Sequence, residues 1–99
     1  MIRIPVRVRR RPLGVARVVL EVFREGEETV CGIYKLWGRT TCKPRAFMAL
    51  MREEMRKLED IARDAGCTQM RMAGRDWSRV FPEFERMPGD SPNLLMKRL

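Results

Sequence analysis

The segment from Pro44 to Ala65 constrains this chain more than any other. Met48, Met51, Met55, Leu58, Ala62 and Ala65 recur there at three- and four-residue steps, which lines one side of an α-helix with apolar side chains. Pro44 suits the first helical turn and Gly66 the position just past the end. Glu53 with Lys57 and Glu59 with Arg63 form four-apart pairs in the favourable acid-first order. The methionines read as core, because Met fills irregular gaps.

The preceding residues read as strands. Ile2, Ile4, Val6 and Val8 alternate with Arg3, Pro5, Arg7 and Arg9, the period-2 pattern of a strand with one buried face. Pro5 cannot donate to a ladder and so points to a sheet edge. Arg11-Pro12-Leu13-Gly14 reads as a turn. A second strand from about Val15 to Arg24 sets Val18, Leu20 and Val22 against Arg17 and Glu21. The polar stretch Glu25-Gly26-Glu27-Glu28 makes a hairpin connection. In the third strand, about Thr29 to Trp37, both faces are apolar: Val30, Tyr34 and Leu36 on one, Cys31, Ile33 and Trp37 on the other. That predicts a central strand covered on both sides, with Tyr34 packed inside.

Beyond the helix, Cys67 to Ala73 reads as a short strand with Met70 and Met72 inward and Gln69 and Arg71 outward. Asp76 is a good N-cap for a brief helix through Trp77, Val80 and Phe81, ended by Pro82. Met87 to Pro92 is a loop, and Asn93 to Leu99 a closing strand. The order is βββαβαβ, an α+β (α/β) fold with a mixed, mostly antiparallel sheet. At its centre a parallel βαβ unit should cross over right-handed. At 99 residues the chain makes one domain, 1–99.

The charge is lopsided, with 21 Lys and Arg against 13 Asp and Glu. Residues 1–17 hold six of those bases (Arg3, Arg7, Arg9, Arg10, Arg11, Arg17) and no acid, so the remainder is close to balanced. A basic N-terminal edge of this kind suits contact with phosphates or an acidic protein surface. It also discourages edge-to-edge aggregation. With no histidine, Ser-His-Asp and Cys-His nucleophile systems are excluded. Three cysteines without paired spacing make neither a disulfide framework nor a zinc site. No apolar run is long enough to span a bilayer, and the arginine-rich start lacks a signal peptide's apolar stretch. A cytoplasmic protein is expected, with no metal and no membrane partner.

Between the third strand and the helix the chain reads Gly38-Arg39-Thr40-Thr41-Cys42-Lys43-Pro44-Arg45-Ala46. Here the sequence resembles the GNAT (N-acetyltransferase) superfamily. That family carries an Arg/Gln-x-x-Gly-x-Gly/Ala segment whose backbone amides hold the pyrophosphate of acetyl-coenzyme A. Arg39 matches the first position, and Arg45-Ala46-Phe47 resembles the usual opening of the helix. Ala62 to Thr68 is similar to the family's helix end, Asp76 to Phe84 to its next short helix, and Leu94 to Leu99 to its closing strand. The pattern covers about residues 29–99. Cys42 stands where the first glycine falls and Pro44 where the second does. Proline removes one amide donor, and a cysteine side chain obstructs close backbone approach. The chain is also shorter than typical acetyltransferases and lacks the helices that shape their acceptor site.

The resemblance implies a degenerate acetyltransferase-like domain acting as a non-catalytic binding or adaptor protein. Small proteins of this sort occur among bacteriophage products, including virion proteins, and a virion location would then replace the cytoplasm. Arg7, Arg9, Arg10, Arg11 and Trp37 are its candidate contacts with an acidic protein surface or nucleic acid. No cofactor is expected in that case. If the chain is instead a working N-acetyltransferase, Arg39, Thr40, Thr41, Cys42, Lys43 and Arg45 would hold acetyl-coenzyme A, while its catalytic residues are unknown. A third reading is a basic nucleic-acid binder, limited to phosphate contact because no exposed aromatics interleave the arginines.

Overall fold

The computed structural model describes residues 2–10, 14–40 and 43–99. Their side chains are described at 2–6, 17–34, 43 and 45–99. Strands β1 (Ile2–Arg10), β2 (Gly14–Glu25) and β3 (Glu28–Thr40) form a long antiparallel meander. Helix α1 (Pro44–Asp64) follows, then β4 (Gln69–Met72), β5 (Glu85–Arg86) and β6 (Leu95–Arg98). One mixed, six-stranded sheet results, in the order β1-β2-β3-β4-β6-β5. β1 lies at its edge with Pro5 opposite Val19. β3 and β4 pair in parallel at Val30–Gln69, Cys31–Met70 and Gly32–Arg71.

The sequence explains the helix locally. Pro44 occupies its first turn, where a missing N–H costs nothing. At the other end Gly66 adopts φ +83°, the left-handed conformation glycine takes without penalty. The Gly66 N–H donates to Arg63 O and the Cys67 N–H to Ala62 O, both at 2.9 Å. This Schellman arrangement turns the chain back toward the sheet.

Met55, Leu58 and Ala62 bury against Val18, Leu20, Val22, Cys31, Met70, Met72 and Leu95. Ile4, Val6, Ile33 and Met51 flank this core, while Ala65 at the end of the expected stripe is exposed. Glu59 and Arg63 do not take the four-apart pairing that the spacing suggests. Lys57 Nζ lies 3.1 Å from Glu54, and Arg63 Nη1 lies 3.2 Å from Asp60. Glu59 is buried and bonds Lys97 of β6 at 2.5 Å. A long-range partner inside the fold has displaced the local one.

The second helix expected after Asp76 does not form. The Ser78 N–H donates to Asp76 Oδ1 at 3.1 Å and the Phe81 N–H to Trp77 O at 2.9 Å, a single turn that Pro82 cannot extend. Trp77, Phe81 and Phe84 pack ring against ring at about 6 Å between centroids. Arg52 of α1 ties this turn down, its Nε donating to Val80 O at 2.9 Å. The chain then enters β5, so strands follow α1 where β, α and β were expected.

Two further expectations fail, Gln69 because long-range partners enclose it and Tyr34 because one helix covers only one sheet face. Gln69, predicted to point to solvent, is almost fully buried. Tyr34, predicted to be inside, is 46% exposed. Val19 pairs with Lys35 and Leu20 with Ile33, so Tyr34 is the extra residue of a β-bulge, left out of the ladder.

Met70 is fully buried between α1 and the sheet. Met70→Ala should therefore cost about 2–5 kcal/mol, read as a lower urea midpoint with an unchanged m-value. The exposed Arg75→Ala should change stability by less than about 0.5 kcal/mol.

Candidate anion-binding surfaces

The sheet edge built by β1 and β2 carries the basic N-terminal segment. Arg7 stands directly opposite Arg17 across the ladder, Arg9 opposite Val15 and Arg10 opposite Gly14. Like charges at directly opposed positions repel. Arg3 is differently placed, with its Nε 3.6 Å from Glu21 Oε2 and its guanidinium 4.3 Å from the centre of the Tyr34 ring. Its charge is thus partly answered within the fold. Arg11 lies outside the described residues. Trp37 sits in β3 opposite Arg17, which brings its backbone beside that of the arginine pair.

The junction of β3 and α1 differs from the expected loop. β3 runs on to Thr40, with Gly38 opposite Ala16, Arg39 opposite Val15 and Thr40 opposite Gly14. The ladder holds them because β2 itself begins at Gly14. Arg39 and Thr40 are therefore strand residues, and residues 41–43 alone join strand to helix. Thr41 and Cys42 lie outside the described residues. Lys43 is the N-cap, extended and exposed, and makes no side-chain capping bond. Its carbonyl accepts from the Phe47 N–H at 2.9 Å. Since Pro44 has no N–H, Arg45 and Ala46 supply the remaining first-turn amides. Arg45 is exposed. Of the segment Arg39–Pro44, two residues are thus in a strand and the last is a proline at the helix start.

On the sheet face away from α1, charged side chains replace a second helix. Arg71 of β4 bonds Glu25 through both terminal nitrogens at 2.6 Å, and its Nε donates to Gln69 Oε1 at 2.7 Å. Gln69 Nε2 donates to Glu28 Oε2 at 2.9 Å, and Arg98 of β6 closes the row on Glu28. Val30 is fully buried in β3 between Phe23 of β2 and Gln69 of β4. The hydrogen bond from Arg71 lowers the Glu25 pKa, and Glu25 in turn raises that of Arg71.

Several ionisable groups are held by partners within the fold. Burial alone would lower the Lys97 pKa, but hydrogen bonds to Glu59 and Glu83 outweigh it and the net shift is upward. Lys97 in turn lowers the Glu83 pKa. Ser78 and Arg86 lower that of Asp76. Burial pushes the Cys31 thiol up to about 12, helped by the Cys67 beside it, whose own pKa burial also raises. These thiols behave as core side chains. Among the described residues, no cluster of His, Cys, Asp or Glu could hold a metal ion, and no helix is long and apolar enough to cross a membrane. No protein-family model, no curated protein and no solved structure matches this chain.

The network with Arg71 was not visible in the sequence, because its members come from four separate strands. The only hint was Gln69, a polar residue between two apolar positions of a short strand.

The pKa directions fix an acid response. Glu25, Asp76 and Glu83 all have lowered values in the fold. The stability they contribute is present above the ordinary carboxylate range and is lost as pH falls through their lowered values. Thermal melts should coincide from about pH 7 to about pH 5 and then fall steadily toward lower pH. Arg71→Met should flatten part of that fall.

Proposed function

We propose that this chain is a non-catalytic binding or adaptor domain with an acetyltransferase-like fold, engaging an anionic partner through its basic N-terminal strands. The observation that carries this reading is the register of β1 and β2, which opposes Arg7 to Arg17. Residues 1–17 contain no acid. An acidic protein surface or a nucleic acid laid along the edge would supply the missing charge.

The acetyltransferase-like part of the reading is supported by β3, α1 and β4 in sequence, with β3 and β4 parallel at three positions before β3 continues alone. A non-catalytic role is supported by the state of several candidate groups. Arg39 and Thr40 are in the β2–β3 ladder, and Pro44 offers no amide at the helix start. Glu28 is engaged by Gln69 and Arg98, and Glu59 and Glu83 by Lys97. A base able to deprotonate an amine would need a carboxylate or comparable group free of such bonds.

Isothermal calorimetry with millimolar acetyl-coenzyme A should give no heat of binding, for the wild type and for Arg39→Glu alike. A saturable isotherm weakened by Arg39→Glu would replace this reading with the enzyme. Pull-down with the purified chain should recover an acidic protein or nucleic acid. The triple variant R7E/R9E/R10E should lose that capture at least tenfold, and unchanged capture would refute the role of the edge.

A further inference from the structure

Helix α1 carries a second basic surface, separate from the N-terminal strands. Arg45, Arg52, Arg56 and Arg63 follow one another at seven-, four- and seven-residue steps. At 3.6 residues per turn these positions fall within about 40° of a single line, about 27 Å long. All four side chains are exposed. Arg52 donates from Nη2 to Arg79 O at 3.3 Å, which sets the exposed Arg79 beside the row. Lys43 stands exposed at its N-terminal end.

Several acids near the row are already engaged. Asp60 bonds Arg63 at 3.2 Å, and Glu83, close enough to feel Arg52 and Arg56, bonds Lys97 at 2.7 Å. Glu54 pairs with Lys57 and Glu59 with Lys97. Among the described residues, Arg45, Arg52, Arg56 and Arg79 have no carboxylate partner of their own. Arg52 and Arg56 are also a four-apart like-charge pair, which works against the helix.

We infer that this row is a track for the phosphate backbone of a double-stranded nucleic acid, read without regard to sequence. Its linear spacing and its guanidinium forks suit successive phosphates. A protein partner fits it poorly, because protein interfaces bury an apolar, aromatic-rich centre. The large hydrophobics exposed among the described residues are Ile2 and Tyr34, both on strands of the sheet and not on α1. Single strands fit it poorly as well, since the row offers no aromatic platform for stacked bases.

Fluorescence anisotropy of two unrelated 20-base-pair duplexes, titrated with the full chain across a range of NaCl, tests the assignment. Four phosphate contacts predict a log–log salt slope of about −3.6, the same for both duplexes. The variant R45A/R56A/R79A keeps Arg52, which holds the turn, and its melting curve should match the wild type. Its slope should be shallower by about 2.7, and its affinity at low salt at least tenfold weaker. The variant R45K/R56K/R79K should retain the slope, and Glu83→Gln should tighten binding. The inference fails if the wild type ignores duplex at low salt, or if R45A/R56A/R79A binds like wild type. It also fails if a single strand of equal length binds better, or if polyglutamate displaces the duplex as well as unlabelled duplex does. Should R7E/R9E/R10E alone abolish duplex binding while R45A/R56A/R79A leaves it intact, the N-terminal edge is the site and the helix is not.

Discussion

A single helix must dry one face of a six-stranded sheet, and the rest of the molecule adjusts to that shortage of cover. Met55, Leu58 and Ala62 can reach only the strands beneath them, so the fully buried side chains Leu20, Cys31, Met70 and Leu95 cluster where α1 crosses. The turn carrying Trp77, Phe81 and Phe84 extends that cover, and Arg52 anchors it to the helix through backbone carbonyls. Lys97 meets Glu59 at the rim of the same layer, where an ammonium can be shared between two carboxylates instead of being left alone.

The opposite face is closed by a different physical device. Arg71 reaches across from β4 to the tip of the β2–β3 hairpin, and Glu28 receives both Gln69 and Arg98. Individually, exposed ion pairs contribute little. Their value here is lateral: they hold the hairpin tip against β4 and β6 and shelter the backbone around Val30. A bidentate guanidinium does this better than an ammonium would, because its fork fixes direction as well as distance.

How much of this could be read from the chain depends on the range of each interaction. The helix was legible from its stripe and its end signals, since Pro44 and Gly66 act within one turn. The strands of the meander were legible from their alternation, although β2 and β3 each extend past the expected ends because pairing with one another carries them on. Gln69 was misread because its partners, Glu28 and Arg71, come from elsewhere in the sheet and no local pattern announces them. Asp76 did cap a turn, yet Pro82 and the pull of Phe81 and Phe84 into the core kept it from growing into a helix. The extension of β3 through Arg39 and Thr40 was not legible, because it depends on ladder pairing with β2 and not on local residue types.

The bulge at Tyr34 gives β3 two reading frames. Below it, Cys31 and Ile33 occupy the positions opposite Val22 and Leu20; above it, the even-numbered Leu36 is the one opposite Val18. The alternation of the strand is therefore inverted midway, and the far arm of the meander is set in phase by one residue outside the ladder. Removing that residue would give the strand one continuous period of two and leave Lys35 to Thr40 opposite the same β2 partners, so the extra residue changes the parity of the sequence and not the pairing of the arm.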